Sequence, residues 1–147
     1  MNPTAAAVAV AVTFLWLGMV LAISFLEAPL KFRAPGVTIP IGLGIGRLVF
    51  RALNAVELIL AVALLVAVLP AHAPPQVIAF TVAAAVLLAV QLAVIRPRLS
   101  RRSDQVLADA DAGQPRSHAH LYYIAFELAK VLALAGLGAS ILQAVTI

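Results

Sequence analysis

Residues 51–70 read RALNAVELILAVALLVAVLP. From Leu58 onward the stretch is an apolar run of the kind a lipid bilayer accepts. Its first third nevertheless carries Arg51, Asn54 and Glu57, each three residues from the next. Three-to-four spacing keeps such side chains near one face of a helix. About 20 apolar residues suffice for a helix to cross a bilayer. The stretch therefore reads as a transmembrane helix with a polar stripe on its first turns, and a carboxylate placed there demands partners from elsewhere in the chain.

Composition supports a membrane reading. The 147 residues are 64% hydrophobic and only 11% charged, where a soluble domain has about 25% charged residues. A chain this short could not cover so much apolar surface with so few charges. The sequence has no cysteine, which excludes disulfides, thiolate metal sites and thiol catalysis. Its net charge of +4 comes without an aromatic-interleaved basic patch. It therefore reports loop orientation rather than nucleic-acid binding. The first apolar stretch lacks a basic leader and is longer than a signal-peptide core, so it reads as a retained helix.

Four spans are expected, at about residues 5–26, 47–69, 76–95 and 120–144, in an all-α integral membrane four-helix bundle. Prolines close three of them: Pro29, Pro70 and Pro97. The ten Lys and Arg residues then orient the bundle. Lys31, Arg33, Arg47 and Arg51 flank the first connection, residues 27–46. Arg96, Arg98, Arg101, Arg102 and Arg116 occupy the third, residues 96–119. The middle connection, PAHAPPQ, has none. The positive-inside rule puts connections one and three in the cytoplasm and both termini on the non-cytoplasmic side, as for a multi-pass protein of a bacterial inner membrane. Within the first connection, FRAPGVTIPIGLGIG has a Gly-x-Gly-x-Gly spacing, but no strand precedes it as a nucleotide fingerprint requires. A flexible or re-entrant segment is expected there. The third connection, SDQVLADADAG, reads as a short surface helix capped by Ser103 and ended by Gly113 and Pro115, with Asp104, Asp109 and Asp111 on a solvated face.

The last span repeats the polar stripe. In SHAHLYYIAFELAK, residues His120, Tyr123, Glu127 and Lys130 share a helical face. Counting from the expected cytoplasmic edge, Glu57 lies about 15 Å deep, Glu127 about 10 Å and Lys130 about 15 Å. Glu27 adds a carboxylate at the end of span one, and Gln91 is the one contribution of span three. An ionised side chain facing lipid costs at least about 2.5 to 3.5 kcal/mol at a helix centre, so these groups face one another. The expected pairs are Glu57 with Lys130, and Glu127 with Arg51 or Asn54. They have two readings: assembly contacts that fix the register of oily helices, or a functional site.

For a functional site, the candidates are Glu57, Glu127, Lys130, Arg51 and Asn54, with Glu27 and His120 at the mouth. A metal centre built on Glu27, Glu57, Glu127 and His120 would need Glu-x-x-His pairs. Here His120 and Glu127 are seven apart, with cations beside them. Haem ligation by His118 or His120 is weaker still, so no metal and no cofactor are expected. Proton-coupled binding or translocation of a small solute or ion fits better, since a deep carboxylate beside a cation can change protonation. The other classes are a membrane enzyme acting on a lipophilic, quinone-like or aromatic substrate, and an accessory subunit of a membrane complex. Small-residue seams, Ala129, Ala133, Gly136 and Ala139 or Ser140 in span four with Gly18 and Ala22 in span one, allow close helix contact and a homo-oligomer or partner subunit in the bilayer.

Two stretches, WLGMVLAISFLEAPLKFRAPG and GIGRLVFRALNAVE, carry a resemblance. Through Trp16, Gly18, Ala28, Pro29, Phe32, Gly44 and Phe50 the first half of the chain resembles small four-span bacterial membrane proteins of unassigned function, related to a eukaryotic transmembrane family associated with platinum-drug tolerance. A similar four-span outline occurs in cofactor-free anthrone-oxygenase-like membrane proteins. The resemblance implies the fold and topology and carries over no catalytic residue.

Overall fold

A computed structural model describes residues 1–108 and 118–146. Its helical runs are α1 (Pro3–Arg33), α2 (Ile39–Ala71), α3 (Pro75–Arg98) and α4 (His118–Thr146). Each contains a stretch long and apolar enough to cross a membrane. Neighbours form a closed ring: α1 packs on α2 and α4, and α3 packs on the same two.

The helix starts follow capping chemistry. The Asn2 side chain accepts from the Ala5 amide at 2.7 Å, ahead of Pro3 in the first turn. Thr38 opens α2 by accepting from the Ile41 amide at 3.5 Å, with Pro40 in the first turn. Such caps satisfy amides that have no partner within the helix. At its far end α2 tightens into a 3-10 turn at Leu69–Ala71, and His72 reverses the chain with a left-handed φ of 50°. Gly36, at φ 79°, does the same between α1 and α2.

Three boundary expectations change. The first connection is not residues 27–46 but only residues 34–38, because α1 runs through Pro29 to Arg33 and α2 begins at Ile39. The glycine-rich segment expected to be flexible or re-entrant is thus the first two turns of α2. Two of its glycines serve close approach: any side chain at Gly42 would occupy the place of the Phe32 ring, and one at Gly46 that of the Lys31 ammonium, whereas Gly44 faces open space. In the third connection, segment Arg96–Ala108 prolongs α3 without a break, so Ser103 lies mid-helix and cannot be an N-cap. Asp104 is bound at 2.7 Å by Arg47 of α2. Asp109, Asp111, Gly113 and Pro115 lie outside the described residues.

The prolines expected to stop α1 and α3 are tolerated because a π-helical segment precedes each. Leu21–Glu27 is π-helical ahead of Pro29, and Gln91–Ile95 ahead of Pro97. The amides of Ala28 and Arg96 bond the carbonyls of Ile23 and Gln91, five residues back instead of four. This register widens the turn where a proline ring would otherwise meet the carbonyl four residues before it.

The bundle is inverted relative to a soluble one. Ile59 and Val66 are each 67% exposed and Leu132 is 64% exposed, whereas Glu57 and Lys130 are both 0% exposed. Apolar side chains face outward and the charges of Glu57, Glu127 and Lys130 face inward, the distribution a hydrocarbon surround requires. One half of the interior is a conventional core of Leu60, Leu64, Val68, Val77, Leu134 and Ile141. The buried Asn54, Glu57, Gln91, Glu127 and Lys130 lie in the other half, towards the end of the bundle that carries the arginines.

Candidate functional site

All four helices contribute to one buried network. Lys130 of α4 is its centre. Its ammonium lies 2.6 Å from Glu57 Oε1 of α2, 3.0 Å from Glu127 Oε1 of its own helix, and 2.7 Å from Gln91 Oε1 of α3. Three acceptors thus engage the three protons an ammonium offers. Around this centre, the Trp16 indole N–H of α1 donates to Glu57 Oε1 at 2.9 Å. The Gln91 amide donates to Glu127 Oε1 at 2.6 Å, and the Ser24 hydroxyl of α1 donates to Glu127 Oε2 at 2.9 Å.

The local backbone explains this convergence. Glu127 and Lys130 are one turn apart on α4 and point to one side. Ser24 and Gln91 both belong to the π segments, so the irregular turns of α1 and α3 deliver the two neutral ligands of Glu127. Charged groups in such surroundings persist only when paired and hydrogen-bonded. Lys130 and Glu127 meet that requirement. Glu57 meets it at one oxygen only, since its Oε2 has no hydrogen-bond partner among the described residues.

Beside the network opens a cavity of about 550 Å³ between α1, α2, α3 and α4, with Glu127 among its walls. Asn54, Phe50 and Arg47 line it from α2, Lys31 from α1 and Arg96 from α3. Phe50 meets Tyr123 edge to face at 5.4 Å between ring centres. The Lys31 ammonium lies 5.6 Å from the Phe32 ring centre and 5.4 Å from that of Phe50. The buried Tyr123 hydroxyl, on the same wall, has no partner among the described residues.

The structure brings together Glu57, Glu127 and Lys130, with Asn54 at the cavity wall. The Glu57–Lys130 pair forms as depth counting predicts. Glu127, however, is bound by Lys130, Gln91 and Ser24 rather than by Arg51 or Asn54. Arg51 is exposed and stands outside the network. Glu27 is engaged one turn on by Lys31, at 3.4 Å. His120 lies in the first turn of α4, and its side chain is outside those described. Among the described residues no three His, Asp, Glu or Cys side chains converge as a metal ligand set. Trp16 and Ser24 are the participants that sequence reasoning did not propose, whereas Arg96 stood among the basic residues expected at the mouth and Tyr123 in the α4 stripe.

In comparisons with protein-family models, curated proteins and solved structures, none matches the chain.

Proposed function

We propose that the chain is a multi-pass membrane protein that binds a small solute or ion in the cavity at its basic end, coupled to a proton held by Glu57, Lys130 and Glu127. In the orientation the positive-inside rule favours, that end faces the cytoplasm and both termini lie on the other side. The observation that carries the reading is that Glu127 is at once a wall of the cavity and a member of the buried cluster. The cluster holds two carboxyl groups and one ammonium, and it reaches neutrality when one carboxyl keeps a proton. Low-dielectric surroundings favour that neutral state. A charged solute arriving beside Glu127 changes the field that decides where the proton resides. Glu127, Lys130 and Glu57 then form a contiguous path from the cavity to the bundle centre.

A second reading rests on the three acceptors around Lys130: the cluster is a latch that fixes helix register and exchanges nothing. Trp16 separates the two. It is the only tryptophan, and it donates directly to Glu57. In lipid nanodiscs, its emission in wild type should change with pH as a one-proton curve. Glu57→Gln should abolish the curve and Glu127→Gln should shift it. Flat wild-type emission would leave the latch reading in possession.

A further inference from the structure

We infer that the cavity takes a lipophilic acid, a small molecule with a ring-sized apolar body and one anionic head. The inference rests on the cavity being a binding site, as proposed above. The first argument is charge. Lys31, Arg47 and Arg96 line the cavity against the single carboxylate of Glu127. That carboxylate has both oxygens bonded by Lys130, Gln91 and Ser24, so it offers little to an incoming cation. The three cations are less well matched. Lys31 is held by Glu27 at 3.4 Å and Arg47 by the exposed Asp104. Among the described residues no carboxylate pairs with Arg96. A guanidinium in this state is a fork for a carboxylate, which it binds through two parallel hydrogen bonds.

The second argument is shape and lining. Phe25, Phe32, Phe50 and Tyr123 form an aromatic wall, and the volume falls within the range of small-molecule sites, which are mostly apolar with a few convergent polar groups. The Tyr123 hydroxyl, beside Ser24 and Glu127, adds one polar edge to that aromatic lining. A hydrophilic anion would leave the aromatic wall without a counterpart. A lipophilic amine would meet the like charge of Arg96, for which no carboxylate partner stands among the described residues.

The test uses the full chain in zwitterionic nanodiscs and three probes with the same ring: 1-naphthoate, 1-naphthamide and 1-naphthylmethylamine. Equilibrium dialysis against empty discs removes bilayer partitioning. Naphthoate should bind saturably, one per chain, at least about tenfold tighter than the amide, as one charge-assisted contact implies, while the amine shows no saturable binding. Arg96→Gln should weaken naphthoate about tenfold to a hundredfold, with Arg96→Lys in between. The wild-type ranking of probes decides the matter even if a variant misfolds. Absent saturable naphthoate binding, an amine bound as tightly as the acid, or an unchanged affinity in folded Arg96→Gln would each overturn the proposal. Failure here with a titrating Trp16 removes the ligand class and leaves the proton reading. Naphthoate binding with flat Trp16 emission does the reverse.

Discussion

At the scale of single residues, Lys130 is the one cation of a buried cluster with two carboxyl groups. Removing its charge leaves an ionised carboxylate there without a cation, and loss of one partner of a buried pair costs about 3 to 5 kcal/mol. Lys130→Met should therefore be strongly destabilised in a denaturing-detergent titration, and adding Glu57→Gln should recover part of the loss. Trp16→Phe removes only a neutral donor to Glu57 and should cost less, about 1.5 to 3 kcal/mol. Arg51→Gln, at an exposed position, should stay within about 0.5 kcal/mol of wild type. If Arg51→Gln proved as damaging as Lys130→Met, the exposed placement of Arg51 would be wrong. The contrast between these residues also marks what the sequence could reveal. Glu57 and Lys130 were pairable because a fixed rise per residue converts position into depth, and few charged groups share that depth. Trp16 gave no such signal. In an apolar span it counts as bulk, and nothing local says which way its N–H points. Ser24 was invisible for the same reason, and Arg51 misled because spacing alone cannot separate a stripe's centre from its edge.

At the scale of elements, the informative features are the two π segments. Each ends two residues before a proline, and each presents a polar side chain to Glu127. Sequence rules read Pro29 and Pro97 as stops because an interior proline costs an α-helix about 3 kcal/mol. They have no term for a register that absorbs the ring, so the length of α1 and the continuation of α3 were missed while the existence of all four helices was not. The physical claim is checkable. If the π register already accommodates the ring, Pro97→Ala should change the unfolding midpoint little. A large gain in stability would instead show a helix strained by its proline. A second element-scale prediction concerns the α4 seam. A side chain at Gly136 would press on the Phe80 ring of α3, whose nearest atoms lie 2.8 Å from the position a Cβ would take. Gly136→Leu should thus destabilise by about 1 to 3 kcal/mol, the usual cost of overpacking. Phe80→Ala in the same chain should relieve part of it, as expected for residues in contact.

At the scale of the whole molecule, two asymmetries coincide: the cations and the cavity lie at one end, and the solid apolar core at the other. The proposed orientation follows from the first, because Lys and Arg beside short connections resist translocation. It decides which compartment can fill the cavity, so it fixes the side from which a solute enters. The chain is well suited to a direct test, since it has no cysteine and single cysteines can be introduced without background. Ala34, between α1 and α2 at the basic end, and Gln76, in the first turn of α3 at the opposite end, are both exposed. In intact spheroplasts a membrane-impermeant maleimide should label Gln76→Cys and spare Ala34→Cys. Permeabilised cells should label both. The reverse pattern would place the cavity mouth outside and make its ligand an extracellular one. Labelling of both sites in intact cells would mean the chain inserts both ways, and the basic residues would then have to act on the ligand rather than on topology. The expected pattern ties the two asymmetries together: arginines that hold the chain in place also set the positive field at the mouth of the cavity, so an anion in the cytoplasm meets an attractive entrance and Glu127 at its wall.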